Sequence, residues 1–570
     1  MIAATAALAG LESIKASYGG DAAATKRQLV RMLGSRRLRS AVHVLRFHEA
    51  LCFLRAYPDD ADTLRAVEQA LENFSHRSDL RRYRRDLADH GIAGTDIHYR
   101  FFWPMAAWVV RHWADRLHLD WRENGHAEQM LELLPFLVPF SETTGFDELD
   151  LEPRDWLERL KGPGETDAAF LVRRITAAFP NDSLREAAHD RMDLWYRFEA
   201  GPTTPSRTHA KLEGVRTTYQ TGGLDRSRPD LDLEVWRRPR AVHDLSPRQG
   251  QRLVDMARAA MVTRGRDLDV FAYGDARDVR LVDFGDGLQF ASIGFIPERR
   301  ALLHAIYGFL TLKNGVPIGY VLASALYRHA EVAYNTFETY RGGEAARVFA
   351  RVLAMAHHLF GAVTFSIDPY QLGHGNKEGL ASGAWWFYYK LGFRPHDPDV
   401  LRVLRGELRA MRANPRHRST LATLKKLAAE HVFFAPRRGK SRRARGSAGE
   451  RRVQLLPLWN VSLGISDFLA QRFGAEREQG IRVCASDAAR LLGVSSLRGF
   501  SAEERQAWER WGPLVAAMPE VTRWSAADKR ALAHVIRAKG GRRDSDFVQR
   551  FDAHRTLQRA ILRLAARAEP

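Results

Sequence analysis

The first 200 residues carry apolar side chains at a helical spacing. Within residues 44–54 and 64–74, the apolar positions are separated by 3, 4 and 3 residues, which places them in one stripe along a helix. The run "YPDDAD" between these stretches contains Pro and Asp and breaks the pattern. Aromatic-rich helical stretches follow at 101–121 and 130–140. We therefore predict a helical domain over residues 1–200.

Residues 201–245 lack this periodicity and are rich in Pro, Gly, Ser and Thr, which is typical of a connector. Ser246 and Pro247 then provide an N-cap and a first-turn proline, so a helix is predicted to about residue 263.

Beyond residue 263 the pattern becomes that of β-strands, with apolar and β-branched runs bounded by glycine turns. Gly285-Asp286-Gly287 separates two such runs, and Asn314-Gly315 separates two more. Asn-Gly suits the positive φ angles of a type I′ hairpin turn. The predicted strands cover residues 278–284, 288–295, 302–312, 316–327 and 331–338.

A helix is predicted next over residues 343–360, with Gly361 as its stop, followed by a strand over 362–367. The stretch "SGAWWFYYKLGFRP" (382–395) then places five aromatic residues in succession. Because five consecutive residues cover the whole circumference of a helix, this helix is expected to be packed on nearly every side. Gly392 fits the left-handed C′ position, and Phe393 is expected to fold back against Tyr388 in a Schellman end.

After residue 400 the sequence returns to helical patterns. The stretch 437–452, "RRGKSRRARGSAGERR", is too charged and too rich in Gly and Ser to pack, and we predict a basic flexible linker. The predicted fold is a mixed α/β domain with a mostly antiparallel sheet, flanked by N- and C-terminal all-α regions. The predicted units are a helical domain (1–200), a connector (201–245), the α/β domain (246–400), a helical extension (401–436), the linker (437–452) and a helical domain (453–570).

Composition narrows the class of protein only modestly. Hydrophobic residues make up 45% of the 570 residues and aromatic residues 10%, as in a globular protein. No uncharged apolar run reaches the length of a membrane span, and the apolar N-terminus lacks the basic start of a secretion signal. Only Cys52 and Cys484 are present, which favours the cytoplasm and argues against a cysteine zinc site. The sequence does not indicate an oligomeric state.

The net charge of +19 is compatible with binding to nucleic acid. However, 75 of the 87 basic residues are Arg, a bias often set by codon usage, so solvation is the simpler explanation.

The aromatic helix and its surroundings resemble a known family. The residues that carry the resemblance to the "A…Y.KLGF" signature of the GNAT acetyltransferase superfamily are Ala384, Tyr388, Lys390, Leu391, Gly392 and Phe393. "FETYRGGEAARVFARVLA" resembles the strand, turn and helix that hold acetyl-CoA in that family, and "AVTFSID" occupies the place of the following strand. The resemblance covers residues 246–400. It implies a GNAT-like sheet and transfer of an acyl group, most often acetyl, from CoA to an amine.

The glycine turn has a physical basis for holding a diphosphate. The free backbone amides at the start of a helix form the positive end of its dipole, and glycine lets a phosphate approach them. The predicted cofactor-binding residues are therefore Tyr340, Arg341, Gly342, Gly343, Glu344 and Ala345. Tyr340 stands where the family usually has Arg or Gln, and an ordinary strand-to-helix turn has the same glycine requirement.

The resemblance implies that Tyr388 protonates the departing thiolate of CoA, although a core tyrosine bonded to a carbonyl has the same pattern. Glu338, near the end of the preceding strand, is a candidate general base, with an exposed carboxylate as the simpler explanation. Asp368 is a weaker candidate, because Asp before Pro often only shapes a turn.

No metal site is predicted. The amine acceptor is not identified by the sequence. The alternative hypothesis is an inactive GNAT-like binding protein, which contacts helical partners or, through its basic linker, nucleic acid.

Overall fold

The computed structural model describes residues 4–125, 128–437 and 457–567. Its N-terminal region is mainly helical, as predicted, with apolar stripes buried in two separate cores. The helices of this region are α1 (Ala4–Ile14), α2 (Ala22–Ser35), α3 (Ala41–Ala56), α4 (Ala61–Glu72), α5 (Ser78–Arg82), α6 (Trp103–Trp113), α7 (Glu128–Leu137), α8 (Thr144–Glu148), α9 (Pro153–Leu160), α10 (Asp167–Ala178) and α11 (Asp182–Met192).

A small sheet interrupts these helices, so the prediction of an all-α region is wrong here. Strands β1 (Ile97–Tyr99), β2 (Leu117–Leu119) and β3 (Tyr196–Phe198) pair in the order β1-β3-β2. Each has only three residues, and β3 lies far from its partners in the sequence. A strand this short has too little periodicity to be recognised without its partners.

Nine strands form the central sheet in the spatial order β11-β12-β10-β9-β8-β7-β6-β5-β4. It is a large, mostly antiparallel sheet within a mixed α/β structure, as predicted. Its strands are β4 (Ala241–Asp244), β5 (Gly274–Asp283), β6 (Leu288–Phe295), β7 (Ala305–Lys313), β8 (Val316–Leu326), β9 (His329–Thr336), β10 (Thr364–Ile367), β11 (Arg394–Pro395) and β12 (Val432–Phe434).

Both predicted hairpins are confirmed. Asn314 and Gly315 join β7 to β8 with φ angles of 51° and 78°, the left-handed values that a type I′ turn requires. Asp286 and Gly287, between β5 and β6, also have positive φ.

Two strands of this sheet come from segments not predicted to contribute any. β4 comes from the connector and pairs with β5 at one edge. β12 comes from the helical extension and inserts between β10 and β11. Both strands are short, and only pairing with a longer strand makes such segments extended.

Helices cover both faces of the sheet. One face packs against α13 and the end of α3, and the other packs against α15, α18 and the C-terminal helices. The helices within residues 201–437, the first of them inside the connector, are α12 (Leu231–Glu234), α13 (Pro247–Val262), α14 (Asp269–Ala272), α15 (Ala345–Phe360), α16 (Pro369–Leu372), α17 (Lys377–Ser382), α18 (Ala384–Leu391), α19 (Pro398–Ala413) and α20 (Leu421–Leu427). Ser246 caps α13 in a capping box, and Gly361 ends α15 in the left-handed conformation, as predicted.

In the C-terminal region, the described residues 457–567 form helices joined by short turns. These helices are α21 (Leu458–Phe473), α22 (Arg477–Leu491), α23 (Ala502–Ala516), α24 (Ala526–Lys539), α25 (Asp544–Ala553) and α26 (Arg555–Arg567). The predicted linker 437–452 lies outside the described residues except for Arg437. Among the described helices, none combines the length and the apolarity needed to span a bilayer.

The aromatic helix α18 ends as predicted. Gly392 has a φ of 112°, and the amide of Phe393 donates to the carbonyl of Tyr388 at 3.1 Å, which is the outer bond of a Schellman motif. The rings of Phe393 and Tyr388 lie 5.9 Å apart. None of the five consecutive aromatic side chains is exposed, although only Trp385 and Tyr388 are fully buried.

A buried polar network joins the sheet to the C-terminal helices. The hydroxyl of Tyr307 on β7 donates to Asp278 on β5 at 2.5 Å and accepts from the amide of Ser545 on α25 at 2.9 Å. The amide of Asp544 also donates to Asp278, at 3.2 Å. Burial raises the pKa of Asp278 to about 6, and the bond from Tyr307 opposes that rise. The single hydroxyl of Tyr307 therefore satisfies two buried groups, the Asp278 carboxylate and the Ser545 amide.

We expect Tyr307→Phe to lower the free energy of unfolding by about 1–3 kcal/mol, because both partners of the hydroxyl stay buried. The folded-state pKa of Asp278 lies above its unfolded value of 3.8, so its contribution to stability is lost as the pH rises through 6. Removing the phenol raises that pKa further. Tyr307→Phe is therefore expected to lower the free energy of unfolding by more at pH 8 than at pH 5, as measured by urea unfolding followed by circular dichroism. Tyr83→Phe, which removes a surface hydroxyl bonded to the carbonyl of Arg39, is the control and should change stability by less than about 0.5 kcal/mol.

Candidate functional site

The predicted glycine turn lies at the carboxyl end of β9, directly before α15. A 3-10 turn over Glu338–Tyr340 reverses the chain, and Gly342 adopts a φ of +83° with open space around its Cα. Glu344 occupies the N-cap of α15 without making a side-chain capping bond. The first-turn amides of this 16-residue helix therefore have no capping partner, and they lie at the positive end of its dipole.

Not every amide of the turn is available to a ligand, which corrects part of the prediction. The amide of Arg341 donates to the carbonyl of Glu338 at 3.1 Å, and that of Gly343 donates to the carbonyl of Tyr340 at 3.3 Å. Both bonds hold the turn itself. The backbone left to bind an anion is that of Gly342, Glu344 and Ala345.

The Tyr340 side chain points away from the turn and into the interface with the N-terminal helices. It is buried, and that burial raises the pKa of its phenol. Tyr340 therefore serves the packing of the turn and does not reach a ligand on its outer side.

The N-terminal helices support the turn from behind. The Glu49 carboxylate on α3 accepts from Thr339 in the 3-10 turn and from Arg207 in the connector. The hydroxyl of Tyr57, after the end of α3, lies 3.5 Å from the position of a Cβ at Gly343. The helical region thus fixes the position of the turn.

Two carboxylates occupy the charged surroundings of the turn. Glu344 contacts Lys313 at 3.2 Å and Arg347 at 3.6 Å. Glu378 on α17 binds both Arg341 and Arg266, the latter at 3.2 Å, and all three side chains are between 31% and 44% exposed. The two ion pairs of Glu378 are partly solvated and therefore weak. An anion that carries more charge than a carboxylate can replace Glu378 in them.

Tyr388 is only 3% exposed, with its ring packed against Phe349, Phe387 and Phe393. Burial raises the pKa of its phenol, and the neighbouring Tyr334 raises it further. Tyr334 on β9 in turn donates to the carbonyl of Ala345 at 3.3 Å. Tyr334 therefore connects the surroundings of Tyr388 to the first residue of α15.

A cavity of about 10 Å³ lies beside the turn, lined by Tyr57, Tyr334, Tyr340, Glu344 and Ala345 among others. This volume accommodates about one water molecule. A ligand at the turn must either stay on the outer surface or displace side chains to pass deeper.

The other predicted residues take simpler positions. Glu338 is exposed at the start of the 3-10 turn. Asp368 caps α16 by accepting from the amide of Tyr370 at 2.7 Å, which is the turn-shaping role expected before Pro369.

Sequence reasoning missed three features of this region. Tyr334 lies within a predicted strand, but the sequence pattern does not indicate its contact with α15. Glu378 lies 37 residues after Arg341, its ion-pair partner. A group of metal-ligating side chains, Glu331, Asp368 and His431, is likewise assembled from distant segments. No local motif marks any of them.

The chain was compared with known proteins. No protein-family model matches it, no curated protein is similar to it in sequence, and no solved structure matches its fold. The resemblance to GNAT acetyltransferases therefore stays a prediction.

Gly342→Ala is expected to lower the free energy of unfolding by about 1–2 kcal/mol, because its φ of +83° is unfavourable for any residue with a Cβ. The surrounding space is open, so steric overlap does not contribute. Gly34→Ala near the end of α2, also in open space but without a positive φ, is the control and should be neutral or stabilising by up to about 1 kcal/mol. Urea unfolding of both variants tests this difference, and equal effects would contradict it.

Proposed function

We propose that the protein is a GNAT-like N-acyltransferase, which moves an acetyl or related acyl group from CoA to an amine. The observation that carries the proposal is the uncapped N-terminus of α15 next to the open surface at Gly342. Amides at such a position bind the phosphates of a nucleotide cofactor.

The position of the turn in the sheet supports the same ligand. β9 and β10 form a parallel pair within an otherwise antiparallel sheet, and α15 connects them. Ligands of α/β proteins bind outside the carboxyl ends of parallel strands, where the following loops leave a crevice. The turn and Tyr334 both lie at this end of β9.

Cationic side chains complete the proposed diphosphate site. Arg341 and Arg266 converge on the carboxylate of Glu378, so an incoming diphosphate finds two guanidinium groups already oriented. One guanidinium group can donate two parallel hydrogen bonds to the oxygens of a phosphate. These charge-assisted bonds are stronger than those from neutral donors.

Tyr388 is the proposed proton donor to the CoA thiolate. Its phenol is protonated at neutral pH, as a tyrosine with an ordinary pKa also is, and its neighbour Tyr334 contacts the start of α15. The neutral amine attacks the thioester carbonyl, so the N–C bond of the amide forms as the C–S bond breaks. The departing thiolate takes the phenol proton, and the proton that the amine nitrogen loses returns to the tyrosinate through water. Tyr388 is buried and is not among the residues that line the small cavity, so side chains between the turn and the phenol must be displaced for the thioester to reach it.

That same cavity favours one alternative. A volume of about 10 Å³ and the burial of Tyr388 are what an inactive GNAT-like binding protein would have. Ligand binding without turnover would distinguish this alternative from the enzyme.

Acetyl-CoA at 100 times its dissociation constant is expected to stabilise the full-length protein by about 2.7 kcal/mol, measured as a rise in melting temperature. Arg341→Ala should weaken binding by about 10-fold, since a charge-assisted hydrogen bond is lost. Glu378→Gln should strengthen it a few-fold, by about 1 kcal/mol at most, because a competing charge is removed. Arg402→Ala, which removes a similar exposed pair with Asp399 on α19, is the control. No stabilisation by any acyl-CoA would overturn the proposed function.

Tyr388→Phe is expected to lower the rate of thiol release from acetyl-CoA by about 100-fold or more, with the affinity for acetyl-CoA almost unchanged, because only the donated proton is lost. Tyr389→Phe is the matched control. Its ring stacks on Trp385 at 5.3 Å and is partly exposed, so its rate should stay at the wild-type value. An unchanged rate in Tyr388→Phe would remove this residue from the mechanism.

A panel of amines, with release of free thiol as the readout, identifies the acceptor.

A further inference from the structure

A cluster of three metal-ligating side chains lies on the sheet, outside the site described above. It consists of Glu331 on β9, Asp368 directly after β10 and His431 directly before β12. His431 is the common vertex, with its Nε2 at 3.1 Å from a Glu331 oxygen and 3.6 Å from an Asp368 oxygen.

Strand pairing explains why these residues meet. Glu331 is opposite Ser366 on β10, and Ser366 is opposite Phe433 on β12. Asp368 is two residues after Ser366, and His431 is two residues before Phe433. Because side chains alternate along strands, all three project from the same face of the sheet. The ligand atoms are thus held by the ladder before any ion binds.

The charge of the cluster is not balanced by arginine or lysine. In the described part of the chain, no Lys or Arg nitrogen lies within 4.0 Å of the Glu331 or Asp368 carboxylate, in a protein with 87 basic residues. Among the described residues, His431 is the only basic partner at that distance. Two carboxylates on one rigid face therefore lack a permanent counter-charge.

The neighbouring histidines do not supply that charge. His329 on β9 has both ring nitrogens bonded to hydroxyls, at 3.0 Å to Thr364 and 2.9 Å to Ser366, and neither nitrogen contacts the cluster. His304, before β7, has its pKa lowered by burial and then by Lys539. Glu430, next to His431, adds a further negative charge. The surroundings are thus neutral or acidic.

We propose that Glu331, Asp368 and His431 bind a divalent zinc ion. Tetrahedral zinc with nitrogen and oxygen ligands at about 2.0–2.2 Å places its ligand atoms about 3.4 Å apart. The separations of 3.1 and 3.6 Å measured from His431 bracket that value. One imidazole and two carboxylates are a ligand set that zinc accepts. With these three protein ligands in place, water takes the fourth coordination position.

Access follows from the same geometry. The side chains of the cluster are between 23% and 42% exposed, so an ion and its water reach them from solvent. A proton on the His431 imidazole competes with the ion, because zinc binds only the neutral ring.

Calorimetric titration of metal-free, untagged full-length protein with Zn²⁺ tests the proposal. We expect one equivalent to be lost, or its affinity to fall by at least about 100-fold, in His431→Gln and in Glu331→Gln. The matched control is His417→Gln, because His417 forms a similar pair with Glu407 at 2.9 Å and, in the described part of the chain, has no second carboxylate within 4.0 Å. It should bind as many equivalents as the wild type.

Co²⁺ provides an independent readout, since a site of three protein ligands and water gives visible absorption bands. These bands should be present in the wild type and in His417→Gln, and absent in His431→Gln, with circular dichroism showing that all variants are folded. Equal Zn²⁺ binding in the wild type and His431→Gln, or equal losses in both histidine variants, would overturn the proposal. The result does not depend on acetyl-CoA, so it is separate from the test of the proposed acyl transfer.

Discussion

The short parallel pairing of β9 with β10 is the interaction on which the central domain depends. Only three residue pairs form it, from Thr364 opposite His329 to Ser366 opposite Glu331. A parallel pair needs a crossover connection, and here the connection is α15. The crossover places the N-terminus of a helix at the carboxyl end of β9. The pairing of the two strands ends at Ser366 and Glu331. The segment after β9 then forms the glycine turn, and Asp368, directly after β10, joins the group around His431.

Packing and charge act together around the turn. The N-terminal helices hold it from behind through Glu49 and Tyr57, while Glu378 pairs with Arg341 and Arg266 on its outer side. In this structure a carboxylate of the chain itself therefore occupies the guanidinium groups beside the turn. Partly exposed ion pairs contribute little to stability, so an arrangement of this kind costs little to open. This gives the flanking helical region a physical role in the proposed site, since it fixes the backbone while the ion pairs exchange.

The aromatic helix α18 serves the core first. Its rings fill the space between α15 and the strands near β12, and the Phe393 side chain closes the end of the helix against Tyr388. Burial this complete raises the pKa of the Tyr388 phenol and keeps it protonated. A buried phenol is either a core residue or a proton donor that becomes accessible when a ligand opens the site. The contact of Tyr334 with Ala345 is what links the second case to the turn.

Local patterns determined most of the individual elements of this protein. Period-2 runs, Asn314-Gly315, the Ser246 capping box and the Gly392 stop each depend on residues within a few positions of one another. For that reason the strands β5 to β9, the helices α13 and α15 and the end of α18 were predictable. The glycine turn and the buried Tyr388 also follow from residues that are neighbours in the sequence.

Only the tertiary structure decided which distant segments meet. Strands β4 and β12 are extended because a longer strand pairs with them, and the small N-terminal sheet forms for the same reason. The contacts of Glu378 with Arg341, and of His431 with Glu331 and Asp368, join residues 37 to 100 positions apart. The direction of the Tyr340 side chain was likewise set by the N-terminal helices. A sequence encodes such contacts through the whole packing of the chain, so no spacing of a few residues reveals them.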